Sequence, residues 1–206
     1  MKKKEVLNAY AGIGGNRKLW GDNYEVTAIE LEPKIAETYK NFFPKDIVIV
    51  ADAHQYILDH AHEFDIVWSS PPCQTHSRMM KATRHPKKRY SDMSLYQEIL
   101  FLTHFYKGLF VVENVKPYYD PLIKPTQSLG RHLFWSNFEI SPFFTEPNFK
   151  NFITSATVKE TEELKKWLGL IYEGNLYYKG NHDPGQILRN CVHPEMGLHV
   201  FKSIEK

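Results

Sequence analysis

Phe64-Asp65-Ile66-Val67-Trp68-Ser69-Ser70-Pro71-Pro72-Cys73-Gln74-Thr75-His76-Ser77-Arg78 decides how the rest of the chain is read. Its first half is a compact apolar run, the pattern of a strand buried on both faces. Two consecutive prolines then fix φ and stiffen the backbone where that strand ends. Cys73 stands just past them, on a loop that a small molecule or a base can reach. Open α/β sheets bind ligands beyond the carboxyl ends of their strands, so a rigid loop presenting one thiol there makes Cys73 a candidate nucleophile. Cysteine is also among the most often buried residues, and a small hydrophobe after a turn is the plainer reading of the same position.

Outward from this stretch, strands and helices alternate. Residues 4–10 read as a strand that breaks into Ala11-Gly12-Ile13-Gly14-Gly15, with a short helix over 16–20. Glycines at such a turn let the backbone approach a ligand and aim helix-start N–H groups at it, although the GxGxxG spacing is absent. A second strand over 25–29 leaves Glu30 at its C-terminal end, where an acid can accept hydrogen bonds from ribose hydroxyls. A helix follows with Ile35, Ala36, Tyr39, Phe42 and Phe43 on its apolar face, then a third strand over 46–50. Beyond it, Asp52 either meets an adenine amino group or caps the helix that starts near His54; both can hold. Helices are expected over 55–62 and 93–106, and a strand over 109–112 that runs into Glu113-Asn114-Val115. A buried carboxylate is costly without a partner, so Glu113 is either ion-paired or held for chemistry. This alternation predicts a parallel, doubly wound α/β sheet.

Past Pro117, prolines at 117, 121, 125, 142 and 147 mark loops and edge strands around Gly130-Arg131-His132-Leu133-Phe134-Trp135. Residues 157–168 read as an exposed amphipathic helix capped by Thr157, with Glu160, Glu162 and Glu163 ahead of Lys165 and Lys166. A closing helix carries Pro194 in its first turn. Phe143, Phe144, Phe149 and Phe152, with Tyr172, Tyr177 and Tyr178, form either a small core or a surface on which bases stack.

A chain of 206 residues suits one α/β domain with a small appendage. Two cysteines far apart, with no CxxC spacing, argue against a disulfide framework and fit a reducing compartment. No stretch approaches 18 apolar residues, and the start runs directly into a strand, so the expectation is a soluble, cytoplasmic protein with no membrane partner. Net charge is only +2, but Arg78, Lys81, Arg84, Lys87, Lys88 and Arg89 crowd one segment that lacks acids. That run is a candidate phosphate-contacting loop, with a solvated loop as the alternative. Ten histidines show no zinc spacing, and His60 and His62 do not share a helix face; no metal site is expected.

Taken in order, Tyr10-Ala11-Gly12-Ile13-Gly14-Gly15, Glu30, Pro72-Cys73-Gln74 and Glu113-Asn114-Val115 resemble the DNA cytosine-5 methyltransferases. The resemblance covers residues 5–140 and, weakly, 186–201. It implies a Rossmann-like S-adenosylmethionine-dependent methyltransferase fold: a catalytic and cofactor-binding domain over 1–140, a small target-recognition insert over 141–185, and a segment over 186–206 that returns to the catalytic domain. By the same resemblance, Gly12, Ile13, Gly14 and Gly15 form the turn around S-adenosylmethionine, with Tyr10 in place of the family's usual Phe. Glu30 and Leu31 meet the ribose side, Asp52 and Ala53 the adenine, and Pro72 and Asn190 complete the cofactor site, although Arg189 stands where glycine is usual. Cys73 is the implied nucleophile, Glu113 holds the target base, Asn114 orients the carboxyl or the loop backbone, and Arg131 is the surviving part of a paired-arginine motif. Gln74, Ser77 and the six basic residues from Arg78 to Arg89 are the implied contacts to double-stranded DNA.

The chemistry explains the combination. C5 of cytosine is too weak a nucleophile until a thiolate adds at C6. Neighbouring positive charge favours that thiolate, a carboxyl at N3 draws electron density from the ring, and a base inside a duplex must be flipped out to reach the pocket. The Ser-Pro-Pro segment also resembles amino-group methyltransferases, but those carry an aromatic residue where Cys73 stands. The region between Arg131 and Asn190 is short for a sequence-reading domain. It implies a very short target, little specificity, or a protein partner that supplies it, and the compactness suggests a phage or mobile-element enzyme. Two alternatives stand beside DNA methylation: the same chemistry on RNA, known from a tRNA-modifying branch of the family, and a non-catalytic relative acting as regulator or decoy.

Overall fold

The computed structural model describes residues 2–77, 90–142, 149, 158–178 and 183–205. Among them, five parallel strands make up most of one sheet: β1 (Lys4–Ala9), β2 (Tyr24–Glu30), β3 (Ile47–Val50), β4 (Ile66–Ser69) and β5 (Leu109–Val115). An antiparallel hairpin, β6 (Gln127–Leu129) and β7 (His132–Ser136), extends it beside β5. The helices are α1 (Pro33–Phe42), α2 (Ala53–His60), α3 (Ser94–Phe105), α4 (Val158–Leu168), α5 (Gln186–Asn190) and α6 (Pro194–Lys202).

Spatial order is β3-β2-β1-β4-β5-β7-β6. The chain moves outward from β1 through β2 to β3, then returns to the other side of β1 for β4. Ligands of open α/β sheets sit where the order reverses in this way. The glycine turn leaves β1 and the Pro-Pro-Cys loop leaves β4, so the reversal brings together two segments some sixty positions apart. The Ser70 N–H donates to the Ala9 carbonyl at their junction.

β1 shows why these strands read as unbroken apolar runs. Leu7 and Ala9 face α2 and α3, packing with Ile57, Ile99 and Leu102. Val6 faces the opposite side, where Trp20, Trp68, Met196 and Phe201 form a second core. A strand buried on both faces has no polar side to show. Helix α6 seals this second core: Pro194 occupies its first turn, the His193 ring accepts from the Glu195 N–H, and Phe201 stacks on Trp20 with ring centroids 4.1 Å apart.

Two departures from expectation have a visible physical cause. The third strand starts at Ile47, not at Asp46, because the Asp46 carboxylate turns inward to a buried pairing. Its Oδ2 accepts from Arg17 Nε at 2.9 Å and from the Tyr39 hydroxyl at 2.8 Å. The helix expected to be exposed, α4, buries Leu164, Leu168 and also Lys165. Lys165 does not lie in solvent toward the helix end. Its ammonium donates to Glu162 and to the carbonyls of Tyr172 and Gly174, and lies 4.2 Å from the centre of the Tyr172 ring. These donations satisfy a charge that the local apolar residues would otherwise exclude.

Helix α4 shares one core with Ile13 and Ile35, and Phe149, Tyr172 and Tyr178 pack against it. Tyr177 is exposed. Phe143, Phe144, Phe152 and the Thr157 cap lie outside the described residues.

Candidate active site

A cavity of about 660 Å³ opens above the carboxyl ends of β1, β2, β4 and β5. Tyr10, Gly12, Gly15, Glu30, Leu31, Asp52 and Ala53 line one side; Pro72, Cys73, Gln74, Glu113, Asn114 and Arg131 line the other, with Asn190 between.

The glycine turn sets the first side. Tyr10 has φ 56°, the left-handed region that non-glycine residues rarely adopt. Its hydroxyl donates to Glu98 Oε1 at 2.5 Å. Gly14 has φ 83°, and a Cβ there would collide with the Phe43 ring of the α1 end. The Gly12 N–H donates to Glu30 Oε2 at 2.9 Å and the Glu32 N–H to Oε1 at 3.0 Å. Burial raises the Glu30 carboxyl above its ordinary range, while these backbone donors draw it back. Asp52 caps α2, its Oδ1 accepting from the Gln55 N–H at 3.0 Å, and also faces the cavity. The cap reading of Asp52 therefore holds, and its carboxylate also borders the cavity. Ile13 and Gly14 do not line the cavity: Ile13 is fully buried in the α4 core and Gly14 packs against α1. A tight turn cannot point every residue the same way, and these two shape it from behind.

The second side is organised by Asn114. Its Nδ2 donates to the Pro71 carbonyl at 3.0 Å, and its Oδ1 accepts from the Val115 N–H at 2.9 Å. It thus holds the loop backbone, one of the two roles expected for it. The N–H groups of His76 and Ser77 donate to the Cys73 carbonyl, which winds the segment into a turn behind the thiol. Buried His76 meets the Tyr119 hydroxyl through Nδ1 at 2.5 Å. Ser77 bridges to Pro117 and does not line the cavity.

Cys73 is partly accessible. Burial, and then the Glu113 charge, push its thiol up to about 11, while Arg131 pulls it down. The sequence-based expectation that positive charge favours the thiolate therefore names a real effect that burial outweighs. Glu113 lies on β5 with its side chain 7% exposed, and its Oε1 meets Nδ1 of His132 at 2.5 Å. It is both paired and facing the cavity. Arg131 Nη2 donates to the carbonyls of Arg189 at 2.7 Å and Cys191 at 3.4 Å, fastening the hairpin turn to the end of α5.

Sequence reading passed over His132, Glu98 and His54. Glu98 is fully buried on α3 and meets the Tyr10 hydroxyl, His54 Nδ1 at 2.8 Å and the Ser69 hydroxyl at 2.6 Å. Its signal was available: an acid between Leu95, Ile99 and Leu102 on an apolar helix face needs partners. His132 had a fainter one, since period-two alternation sets it on the same face as Phe134. Arg78, Lys81, Arg84, Lys87, Lys88 and Arg89 lie outside the described residues. Among the described residues, no group of three or more His, Cys, Asp or Glu side chains is arranged for a metal ion, and no helix is long and apolar enough to cross a membrane.

Fold and cavity together define an α/β protein of the Rossmann-like methyltransferase class. The chain belongs to the C-5 cytosine-specific DNA methylase family, whose model matches residues 5–122. No curated protein sequence matches it. Solved structures similar to it include a Spodoptera frugiperda DNMT2 mutant, at 24% identity and TM-score 0.41, covering 58% of this chain and 38% of that one. A Thermus thermophilus hypothetical protein matches at 17% identity and TM-score 0.44, covering 65% of this chain and 74% of that one. An Agrobacterium tumefaciens SAM-dependent methyltransferase matches at 18% identity and TM-score 0.39, covering 57% of this chain and 40% of that one. The matched region thus spans well under half of the insect and Agrobacterium chains.

The residues present fit S-adenosylmethionine. The cavity has the size of a small-molecule site. A Cβ on Gly12 would project toward Ile187 Cδ1, 3.9 Å away across the cradle. Carboxylates stand near the ends of two adjacent strands, Glu30 on β2 and Asp52 beyond β3, where hydroxyl and amino groups of a nucleoside find acceptors.

Proposed function

We propose that this chain methylates C5 of cytosine in double-stranded DNA, using S-adenosylmethionine and a covalent bond between Cys73 and C6 of a flipped-out base. The observation that carries the reading is that Cys73 and Glu113 line the same cavity as the glycine turn, Glu30 and Asp52. Nucleophile, base-holding carboxyl and nucleoside-binding groups thus share one space.

The bound cofactor supplies an electrophilic methyl group on a sulfonium. Glu30 and Asp52 would hold its ribose and adenine, with Gly12 on the cavity wall beside it. The Cys73 thiolate adds to C6, and Glu113 gives a proton to N3, so that the ring's electron density moves to C5. Asn114 keeps the loop backbone still while this happens. Once C5 carries the methyl group, its proton passes to water, the C6–Sγ bond breaks to restore Cys73, and N3 returns its proton to Glu113. The basic run over 78–89 takes the phosphate backbone, and residues 141–185 supply what target recognition there is.

The test is transfer from labelled S-adenosylmethionine to mixed-sequence duplex DNA, with single-stranded DNA and RNA run beside it. The expected product is 5-methylcytosine in duplex DNA, with transfer by Cys73→Ala reduced at least about a thousandfold. Label on RNA alone would reassign the substrate. Cofactor binding without transfer to any nucleic acid would replace catalysis by a binding role.

A further inference from the structure

Three buried features around the cavity are not used by the reaction above: the Glu98 cluster beneath Tyr10, the His76–Tyr119 contact behind the thiol, and the imidazole against Glu113. The third is carried furthest by its geometry. His132 stands on β7 and Glu113 on the adjacent β5, where the register pairs Val115 with His132 and Glu113 with Phe134. The pleat therefore turns both side chains to one face of the sheet, one step apart along it. Their side chains are 2% and 7% exposed, and both line the cavity that holds Cys73. Nδ1 meets Oε1 at 2.5 Å, while Nε2 has no hydrogen-bond partner among the described residues. The Phe134 ring walls one side, its centre 6.3 Å from that of the imidazole.

The carboxyl oxygen selects the tautomer. A lone pair on Nδ1 would face the lone pairs of Oε1, whereas an N–H there makes a satisfied pair. The Nδ1–H form therefore meets Glu113. With Oε1 occupied by Nδ1–H, the second oxygen of Glu113 is the one left to carry a proton into the cavity.

We propose that His132 is the positioning residue of Glu113: its Nδ1–H holds Oε1, aims Oε2 at N3 of the target cytosine, and steadies the carboxylate formed when the proton leaves. This rests on the reaction proposed above and names a residue for it beyond Cys73, Glu113 and Asn114. As the Cys73 Sγ–C6 bond forms, the C5–C6 π pair moves to C4–C5 and the C4–N3 pair moves to N3. N3 takes the proton from Oε2. The carboxylate left behind keeps the Nδ1 hydrogen bond, and the proton returns from N3 when the thiol is eliminated. His132 neither gains nor loses a proton in the cycle. Other titratable or charged groups lining this cavity include Glu30, Asp52, His54, Cys73, Asp92, Arg131 and Cys191.

The test compares wild type, His132→Leu and His132→Asn, the last because its amide retains a donor near the Nδ1 position. Wild-type activity on duplex DNA is measured first. An enzyme inactive on every nucleic acid overturns the reaction and this role with it. With an active wild type, His132→Leu is expected to lower kcat about tenfold to hundredfold, the scale of a misaimed group, with cofactor affinity and circular dichroism unchanged. His132→Asn recovers most of the rate. A rate loss that His132→Asn does not recover, or one accompanied by an equal loss of cofactor binding, makes His132 a packing residue and overturns the role. Nitrogen chemical shifts of the wild-type imidazole give a check independent of the variants: the ring proton is expected on Nδ1, and an Nε2–H tautomer overturns the assignment.

Discussion

The Cys73 thiol sits where two demands conflict: the proposed reaction requires it to ionise, yet its surroundings disfavour the anion. Burial is the larger cause and the Glu113 charge the second; Arg131 opposes both without winning. With the group pushed up to about 11, the thiol is overwhelmingly protonated at pH 7. A protonated thiol is also protected from idle oxidation, which follows thiolate character. Iodoacetamide labelling of Cys73 in the free protein, followed by mass spectrometry, is therefore expected to accelerate about tenfold per pH unit from 7 to 9.5 without a plateau. Glu113→Gln removes one of the two upward pushes and is expected to speed labelling at every pH in that range. A plateau below pH 9 in the wild type would contradict the geometry. His54 has the opposite sense of linkage. Its hydrogen bond to Glu98 raises it above the ordinary histidine value, with desolvation working against. A group raised in this way contributes stability that is fully present below the unfolded value, about 6.5, and is lost as pH rises through the folded value. Urea unfolding at pH 5.5 and 8.5 is expected to show His54→Gln more destabilising at the lower pH; equal penalties would discard the pairing.

At the scale of elements, the turn after β1 is where sequence and packing constrain each other most tightly. Gly14 combines φ 83° with a Cβ position already occupied by Phe43. Gly21 has φ 76° but nothing within 4 Å. The two glycines separate backbone strain from collision. Gly21→Ala is expected to cost only about 1 kcal/mol, whereas Gly14→Ala adds overpacking and is expected to cost at least about 2 kcal/mol more. Both are read from urea midpoints. Similar penalties at the two sites would mean that α1 yields to the added methyl. The same turn is tied from behind by the Arg17–Asp46 pairing, which holds its short 3-10 segment to the edge of β3. Nothing in the local text announced that tie, because the two residues are 29 positions apart.

Across the whole molecule, α6 closes the face of the sheet that α2 and α3 leave open. Gly197 of α6 approaches the Asn16 backbone so closely that a Cβ would be 2.7 Å from Asn16 Cα, and a Cβ on Gly15 would be 2.6 Å from the Val192 carbonyl oxygen. The last helix is thus packed directly behind the glycine turn. Removing the fully packed ring in Phe201→Ala is expected to cost about 3–5 kcal/mol and to leave a single unfolding transition, followed by calorimetry. A separate early melting of the C-terminal segment would show that α6 is an independent unit. The sequence by itself determined the alternation of strands and helices, the glycine turn, the thiol past two prolines and the strand carrying Glu113, because each is a local pattern of period, turn chemistry or adjacency. Asp52 was legible as a cap and as a cavity residue for the same reason. Only the tertiary structure decided that Ile13 and Gly14 face inward, that α4 buries Lys165, that burial outweighs Arg131 at Cys73, and that His132 is the neighbour of Glu113. Those outcomes depend on register between strands and on desolvation by distant segments, and neither is written in the order of residues along one stretch of chain.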